Sequence, residues 1–82
     1  MDVSLLRIFR AVAEEGSVTR AAEKLNFVQP NVTARIRQLE NELETPLFFR
    51  KTRGMVLSPA GKILLGYAER VIRLIRDRKS VV

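Results

Sequence analysis

The sequence predicts a mainly α-helical fold that carries one short hairpin. Apolar residues recur at helical spacing in four segments, and between the third and fourth segments the spacing changes to one typical of two strands. The second helical segment is short, and only three residues separate it from the third. A helix, a short helix, a tight turn, a third helix and a hairpin, in that order, indicate a winged helix-turn-helix. We therefore predict a three-helix core, a two-strand wing and a long C-terminal linker helix.

The first two helices are predicted from Val3 to Glu15 and from Val18 to Leu25. Asp2 and Ser17 can cap their starts, and Gly16 supplies the left-handed residue that ends the first helix. The core stripe of the first helix recurs at i, i+3, i+4 and i+7 and comprises Leu5, Ile8, Phe9 and Val12. Two adjacent alanines in the second helix allow another helix to cross closely over it.

The third helix is predicted to start at about Gln29 and Pro30, since proline is tolerated in a first helical turn. Its core stripe recurs at i, i+4, i+7 and i+11 and comprises Val32, Ile36, Leu39 and Leu43. At about 100° per residue, the opposite face holds Pro30, Thr33, Ala34, Arg37 and Asn41. Arg35 lies nearer the buried stripe, where it can reach a phosphate or pair with a carboxylate. The C-terminal turn is acidic, so the N-terminal half is the end expected to approach an anion.

The wing is predicted between Leu47 and Leu57, where two apolar stretches flank a basic turn. We expect both Phe48 and Phe49 to pack in the core. Ser58 followed by proline then opens the last helix, which divides the chain into a winged part, residues 1–58, and a linker helix, residues 59–82.

The apolar stripe of the linker helix is too wide for one small domain to cover. We therefore expect part of it to form a homodimer with a second copy of the chain, although a face awaiting another domain is the alternative. The residues assigned to the dimer contact are Leu64, Tyr67, Ala68, Val71, Ile72 and Ile75.

Charge indicates the class of partner. The 82 residues carry 15 Lys and Arg against 9 Asp and Glu, a net charge of +6, and 11 of the cations are arginine. Arginine binds phosphate and guanine edges with a planar fork, whereas lysine is a point charge. A small, basic, folded domain therefore favours nucleic acid.

The composition also argues against several classes of function. The chain has no Cys and no His, which removes zinc fingers, disulfide frameworks, thiol nucleophiles and imidazole bases, so we expect no enzyme and no cofactor or metal. A hydrolase or nuclease would need clustered carboxylates, and the glutamates of the third helix are better explained by solubility. No apolar run approaches the roughly 20 residues of a membrane span, and no signal peptide is recognisable, so we expect a cytoplasmic protein.

The segments FRAVAEEGSVTRAAEKLNFVQPNVTARIRQLENELETPLFFR, TRG and LSPAGK, in unbroken order, resemble the DNA-binding domain of LysR-type transcriptional regulators. The resemblance implies that the chain binds an inverted repeat in double-stranded DNA as a dimer, with the third helix in the major groove and the wing in the minor groove. Regulators of this family continue into a larger ligand-sensing domain, so a small-molecule effector is expected only there.

The resemblance also implies individual DNA contacts. For the major groove these are Gln29, Pro30, Asn31, Thr33 and Arg37, and for the minor groove Arg53. Glutamine can pair with adenine, and a narrow A-tract groove attracts arginine. Ser17 and Thr19 are expected at phosphates, with Arg35 and Arg50 as further phosphate candidates. The alternatives are a solvated helix face and a charged loop that keeps the hairpin edge soluble.

Three positions depart from the family's usual pattern. Val28 stands where a serine or threonine commonly caps the recognition helix, and Ala34 stands where a larger polar residue is common. Glu44 occupies the usual glycine position after that helix, so a strained turn is expected there.

An alternative function for the whole chain is that of a winged-helix module that binds an acidic protein surface. An exposed apolar patch on the third helix would indicate that function.

Overall fold

The computed structural model describes residues 2–52 and 54–81, with side chains as far as residue 76. Its elements follow the chain as α1 (Val3–Glu15), α2 (Val18–Leu25), α3 (Gln29–Leu43), β1 (Phe48–Lys51), β2 (Gly54–Leu57) and α4 (Pro59–Val81). This architecture confirms the predicted winged helix-turn-helix. The predicted starts of all four helices are also confirmed.

Local capping explains why the first helices begin and end where they do. The Asp2 carboxylate accepts a hydrogen bond from the Leu5 amide at 2.9 Å, and Gly16 ends α1 in the left-handed conformation with φ 66°. Ser17 caps α2 in the same manner as Asp2 caps α1. Asn26 then ends α2 with φ 59°, a conformation that asparagine tolerates better than most residues. The tight connection to α3 follows directly.

The core lies where α1, α2 and α3 meet the first half of α4 and the base of the wing. Phe9 is fully buried in its centre and its ring lies 5.3 Å from that of Phe48, centroid to centroid. The expectation for Phe49 is wrong, because successive strand residues point to opposite faces and this ring is exposed on the outside of the wing. Leu43 is also more exposed than its place in the stripe predicts, since it lies at the end of α3.

The structure corrects the assignment of the dimer residues on α4. Leu64, Ala68 and Ile72 are buried within the chain itself, with exposed fractions of 8%, 0% and 4%. A side chain already covered by its own domain has no surface left for a second copy, so the assignment of these three residues to a dimer contact is wrong. Val71 packs at the margin of the core, and Ile75 lines a cleft between α4 and α1.

The outer side of α4 carries a different apolar stripe. Ile63 and Leu74 are 77% and 66% exposed, and Tyr67 is 47% exposed. With Arg70 they recur at i, i+4, i+7 and i+11, which places them on one helix face. Of the predicted dimer residues, Tyr67 belongs to this face. No helix within the described residues is long and apolar enough to cross a membrane.

Candidate nucleic-acid interface

A polar groove of about 390 Å³ lies between the start of α2, the start of α3 and the wing. It brings together side chains from three separate parts of the sequence, namely Ser17, Thr19, Gln29, Thr33, Arg50 and Lys51. Five of these were expected at DNA from the sequence, and Lys51 joins them from the end of β1. The groove is therefore a candidate interface for an extended anion.

The N-terminus of α2 forms one wall of the groove. The Ser17 hydroxyl oxygen accepts a hydrogen bond from the Arg20 amide at 3.2 Å. The preceding amides of a helix have no acceptor within it, so those of Val18 and Thr19 are available to an external anion. Thr19 extends towards α3, where its hydroxyl donates a hydrogen bond to the Gln29 side-chain carbonyl at 3.2 Å.

The N-terminus of α3 forms the opposite wall. The side chain of Val28 makes no capping hydrogen bond, as its apolar character predicts, and Pro30 follows within the first turn. Gln29 and Pro30 are exposed, and Thr33 lies half-buried one turn further along the groove. Beside the exposed Val28, this end of the helix therefore presents the polar side chains of Gln29 and Thr33 to a partner.

The remaining predicted contacts of α3 do not line the groove. Arg37 is exposed on the continuation of the outer face, whereas Asn31 and Arg35 are half-buried at its edges. Their positions agree with the expected helical rotation of about 100° per residue. A DNA helix is much wider than the groove itself, so residues along its rim remain candidates for contact.

The wing supplies the positive charge of the groove. Arg50 and Lys51 are exposed on β1, and they pair with Met55 and Gly54 of β2 in an antiparallel register. Ion pairs join Glu14 and Glu15 of α1 to Arg10 and Lys24, at 3.3 to 3.7 Å. Arg50 and Lys51 take part in none of them. Arg53 lies outside the described residues, so its place in the minor groove stays a prediction.

Two backbone contacts tie the wing to the helix-turn-helix. The Met55 amide donates a hydrogen bond to the Gly16 carbonyl at 3.0 Å. Gly54 lies directly against the same carbonyl with φ 134°, and a β-carbon at this position would collide with the Gly16 oxygen. The distance between the wing and the start of α2 is thereby set by backbone rather than by flexible side chains.

Glu40 is a positioning residue that sequence reasoning missed. Its carboxylate accepts hydrogen bonds from the amides of Leu47 and Phe48, at 2.7 and 3.4 Å. These bonds hold the first residues of the wing against the end of α3. A carboxylate near a helix C-terminus is unfavourable for the helix dipole, and that unfavourable placement was the available signal of a structural role.

A model of the family "Bacterial regulatory helix-turn-helix protein, lysR family" matches residues 3–62. This chain belongs to the lysR family. Its relatives include the HTH-type transcriptional regulator CzcR of Bacillus anthracis, which is 51% identical over 81 residues. The HTH-type transcriptional regulator GltR of Bacillus subtilis is 44% identical over 82 residues. The chain is matched over 99% and 100% of its own length but spans 28% of each of these lysR-family relatives.

Solved structures of the lysR family have the same fold. The crystal structure of the BenM_DBD/catB site 1 DNA complex aligns with a TM-score of 0.94 and 36% identity over 99% of this chain and 90% of that one. The crystal structure of the CbnR_DBD-DNA complex aligns with a TM-score of 0.88 and 34% identity over 100% of both chains. The similarity therefore covers the complete helix-turn-helix, the wing and α4.

Proposed function

We propose that this chain is the sequence-specific DNA-binding domain of a bacterial transcriptional regulator, and that it binds an inverted-repeat operator as a dimer. The observation that carries the proposal is the groove formed by two helix N-termini and a basic wing. Helix N-termini and exposed arginines bind phosphates, while polar side chains on a helix can read base edges. The BenM and CbnR structures are DNA complexes of the corresponding domains, which supports the same role here.

In this proposal the first turns of α3 enter the major groove. Gln29, Thr33 and Arg37 offer hydrogen bonds to base edges, and Pro30 can pack on a thymine methyl group. The third helix is amphipathic, and its outer face carries no large apolar side chain before Leu43. That composition suits a wet, polar DNA interface better than the apolar groove of a protein-binding module.

The wing serves as the second contact. Arg50 and Lys51 lie where they can neutralise phosphates beside the bases read by α3. The hairpin connects them through Thr52 to Arg53, the residue we expect in the minor groove. Since arginine is attracted to narrow A/T-rich minor grooves, the wing would add preference for DNA shape to the direct readout by α3.

The homodimer in this proposal uses the outer stripe of α4. Ile63, Tyr67 and Leu74 are large apolar side chains exposed on one helix face, an arrangement that favours pairing with an identical helix. A two-fold axis through such a contact presents two α3 helices, and two-fold symmetric proteins bind inverted repeats. Dimerisation thus explains an apolar face that the chain leaves uncovered.

Control of transcription belongs to the whole regulator, and this chain spans only 28% of the length of such a relative. A small-molecule effector is proposed only for the part of such regulators beyond the matched region. The described residues offer the chemistry of binding rather than of bond cleavage, in keeping with a regulator that works on the chromosome in the cytoplasm.

The test is selection of bound duplexes from a random pool, with fluorescence anisotropy measured over a salt series. We expect affinity to fall steeply with salt and the recovered sequences to converge on an inverted repeat. The variant Arg37→Ala should lose base preference, and Arg73→Ala, which removes the same charge from the exposed side of α4, is the matched control. Steep salt dependence without a consensus would contradict base reading, and absence of binding at low salt would favour the protein-interaction module.

A further inference from the structure

We propose that Thr19 is a positioning residue that sets which base Gln29 reads, and that this base is guanine. The inference rests on the proposed function. The observation behind it is the hydrogen bond from the Thr19 hydroxyl to the Gln29 side-chain carbonyl oxygen, 3.2 Å long, which joins α2 to the first residue of α3. It is a side-chain bond between the two helices of the helix-turn-helix, at the edge that faces the candidate DNA interface.

The bond gives the glutamine amide a direction. A glutamine side chain has an oxygen that accepts and a nitrogen that donates two hydrogen bonds, and both lie in the amide plane, on opposite sides of the side-chain axis. Because the oxygen is turned towards Thr19, the nitrogen is the group left to point away from α2. Gln29 is exposed and lies on the wall of the groove, so its N–H groups are presented to the partner.

A side chain that presents donors alone selects a base edge that presents acceptors alone. Guanine offers N7 and O6 in the major groove, both acceptors, whereas adenine offers N7 as an acceptor but N6 as a donor. The usual bidentate pairing of glutamine with adenine needs the amide oxygen and nitrogen side by side on the base edge. Because the bond turns the oxygen towards α2 and away from the base edge, Gln29 presents only its N–H donors there, as a lysine does, and two donors match guanine.

The same bond changes the role of Thr19 at the DNA backbone. A hydroxyl has one proton to donate, and that of Thr19 is directed at Gln29 rather than at a phosphate. The phosphate near the start of α2 is left to the free amides of the first turn and to Ser17, whose oxygen accepts from Arg20 but whose proton remains available. Thr19 therefore contributes to sequence preference, and Ser17 contributes to affinity.

Bound DNA strengthens this arrangement. Thr19 and Gln29 are both exposed in the free chain, where water competes for their hydrogen-bonding groups. A duplex seated on the groove removes that water, and a hydrogen bond in a drier environment of lower dielectric is electrostatically stronger. The orientation of the amide is then fixed more firmly while the base edge is in contact with it.

The experiment compares the wild-type chain with Thr19→Val, Thr19→Ser and Gln29→Ala in parallel selections from a random duplex pool. Valine matches threonine in shape but removes the hydroxyl, and serine keeps the hydroxyl. Gln29→Ala identifies the half-site position that Gln29 reads, because preference is lost there. Circular dichroism melting of each variant verifies that it is folded.

We expect the wild type and Thr19→Ser to prefer guanine over adenine at this position by about tenfold. This ratio corresponds to roughly half of the discrimination free energy of a good bidentate contact. Thr19→Val should reduce the ratio to about twofold or reverse it, because the freed amide can pair with adenine. The slope of affinity against salt should stay unchanged, because no phosphate contact is lost.

Two results would overturn the inference while leaving the proposed function intact. One is a wild type that prefers adenine at the position identified by Gln29→Ala. The other is a Thr19→Val variant that loses affinity equally on all sequences with a salt slope smaller by about one, because that behaviour identifies a phosphate contact. A wild type that selects no sequence at all would overturn the proposed function and this inference together.

Discussion

Two glutamates at the end of α3 illustrate how much a single residue contributes to this fold. Glu40 accepts hydrogen bonds from the first wing amides, so a charged side chain connects the recognition helix to β1. Glu44 ends the same helix in the left-handed conformation with φ 55°, where the resemblance leads one to expect glycine. An L-residue in this conformation is strained by contact between its β-carbon and the following carbonyl oxygen. Glu40 thus stabilises the start of the wing, whereas Glu44 strains the turn that follows α3.

Replacement of Glu40 by alanine should lower the free energy of unfolding by about 1 to 3 kcal/mol, because two half-buried amides lose their acceptor. Glu40→Gln should lose less, since an oxygen remains in place. Asn41→Ala, an exposed neighbour on the same helix, is the control and should stay within about 0.5 kcal/mol of the wild type. Urea denaturation measures all three, and an unchanged Glu40→Ala variant would refute the positioning role.

Replacement of Glu44 by glycine should raise the free energy of unfolding by about 1 kcal/mol, because glycine adopts the left-handed conformation without strain. Asn26→Gly is the matched control, since Asn26 ends α2 with a similar φ of 59° but asparagine tolerates this conformation. Its gain should be smaller than that of Glu44→Gly. Equal effects of the two substitutions in thermal melts would argue that the Glu44 turn is unstrained.

At the scale of elements, Ser58 links the start of α4 to the turn between α3 and β1. It is buried, and its amide donates to the Leu47 carbonyl at 2.9 Å while its hydroxyl donates to the Pro46 carbonyl at 2.7 Å. The same hydroxyl oxygen accepts from the Gly61 amide at 3.0 Å, which caps α4. The start of α4 is therefore attached to the turn before the wing. Gly61 allows this approach, because a β-carbon there would overlap the Leu47 carbonyl oxygen.

Gly61→Ala should consequently destabilise the chain by several kcal/mol or prevent folding, because backbone atoms cannot move aside as a flexible side chain can. Gly66→Ala tests the same substitution five residues later in α4, where a β-carbon meets nothing within 4 Å. This control should be stabilising by about 0.5 to 1 kcal/mol, the usual advantage of alanine over glycine in a helix. Similar melting temperatures for the two variants would contradict the close contact at Gly61.

Across the whole molecule, polar and apolar surfaces are segregated. The groove holds the cations of the wing and the free helix N-termini, while the exposed apolar side chains of α4 lie along a separate face. Acidic residues of α1 are paired with Arg10 and Lys24, outside the groove. This distribution leaves one surface suited to a polyanion and another suited to a second copy of the chain.

The variants Ile63→Ser and Leu74→Ser should therefore shift the chain from dimer to monomer while its helical circular dichroism is retained. Sedimentation velocity measures the shift, and Leu43→Ser, a partly exposed leucine of α3, is the control that should remain dimeric. Affinity for an inverted repeat should fall by about 100-fold or more in the monomeric variants, because two separate monomers then have to bind the two half-sites that one dimer binds together. Affinity for a single half-site should change little.

The sequence by itself determined the elements and their order. Asp2, Gly16, Ser17 and Asn26 act on amides and carbonyls within a few residues of themselves, so the limits of α1 and α2 could be predicted from local chemistry. The same is true of the N-terminus of α3, because the first turn of a helix tolerates proline. The outward face of this helix, with Pro30, Thr33 and Arg37, followed from the helical period, whereas their assignment to DNA, with the other major- and minor-groove contacts, came from the resemblance to the family.

The tertiary structure alone decided which of several equivalent surfaces is buried. The apolar positions of α4 surround much of the helix, and only contact with α1 selects Leu64, Ala68 and Ile72 for the core rather than Ile63 and Leu74. The bonds from Thr19 to Gln29 and from Glu40 to the wing likewise join residues that local patterns do not connect. Local rules describe one segment at a time, whereas burial and hydrogen bonding between segments depend on how those segments pack together.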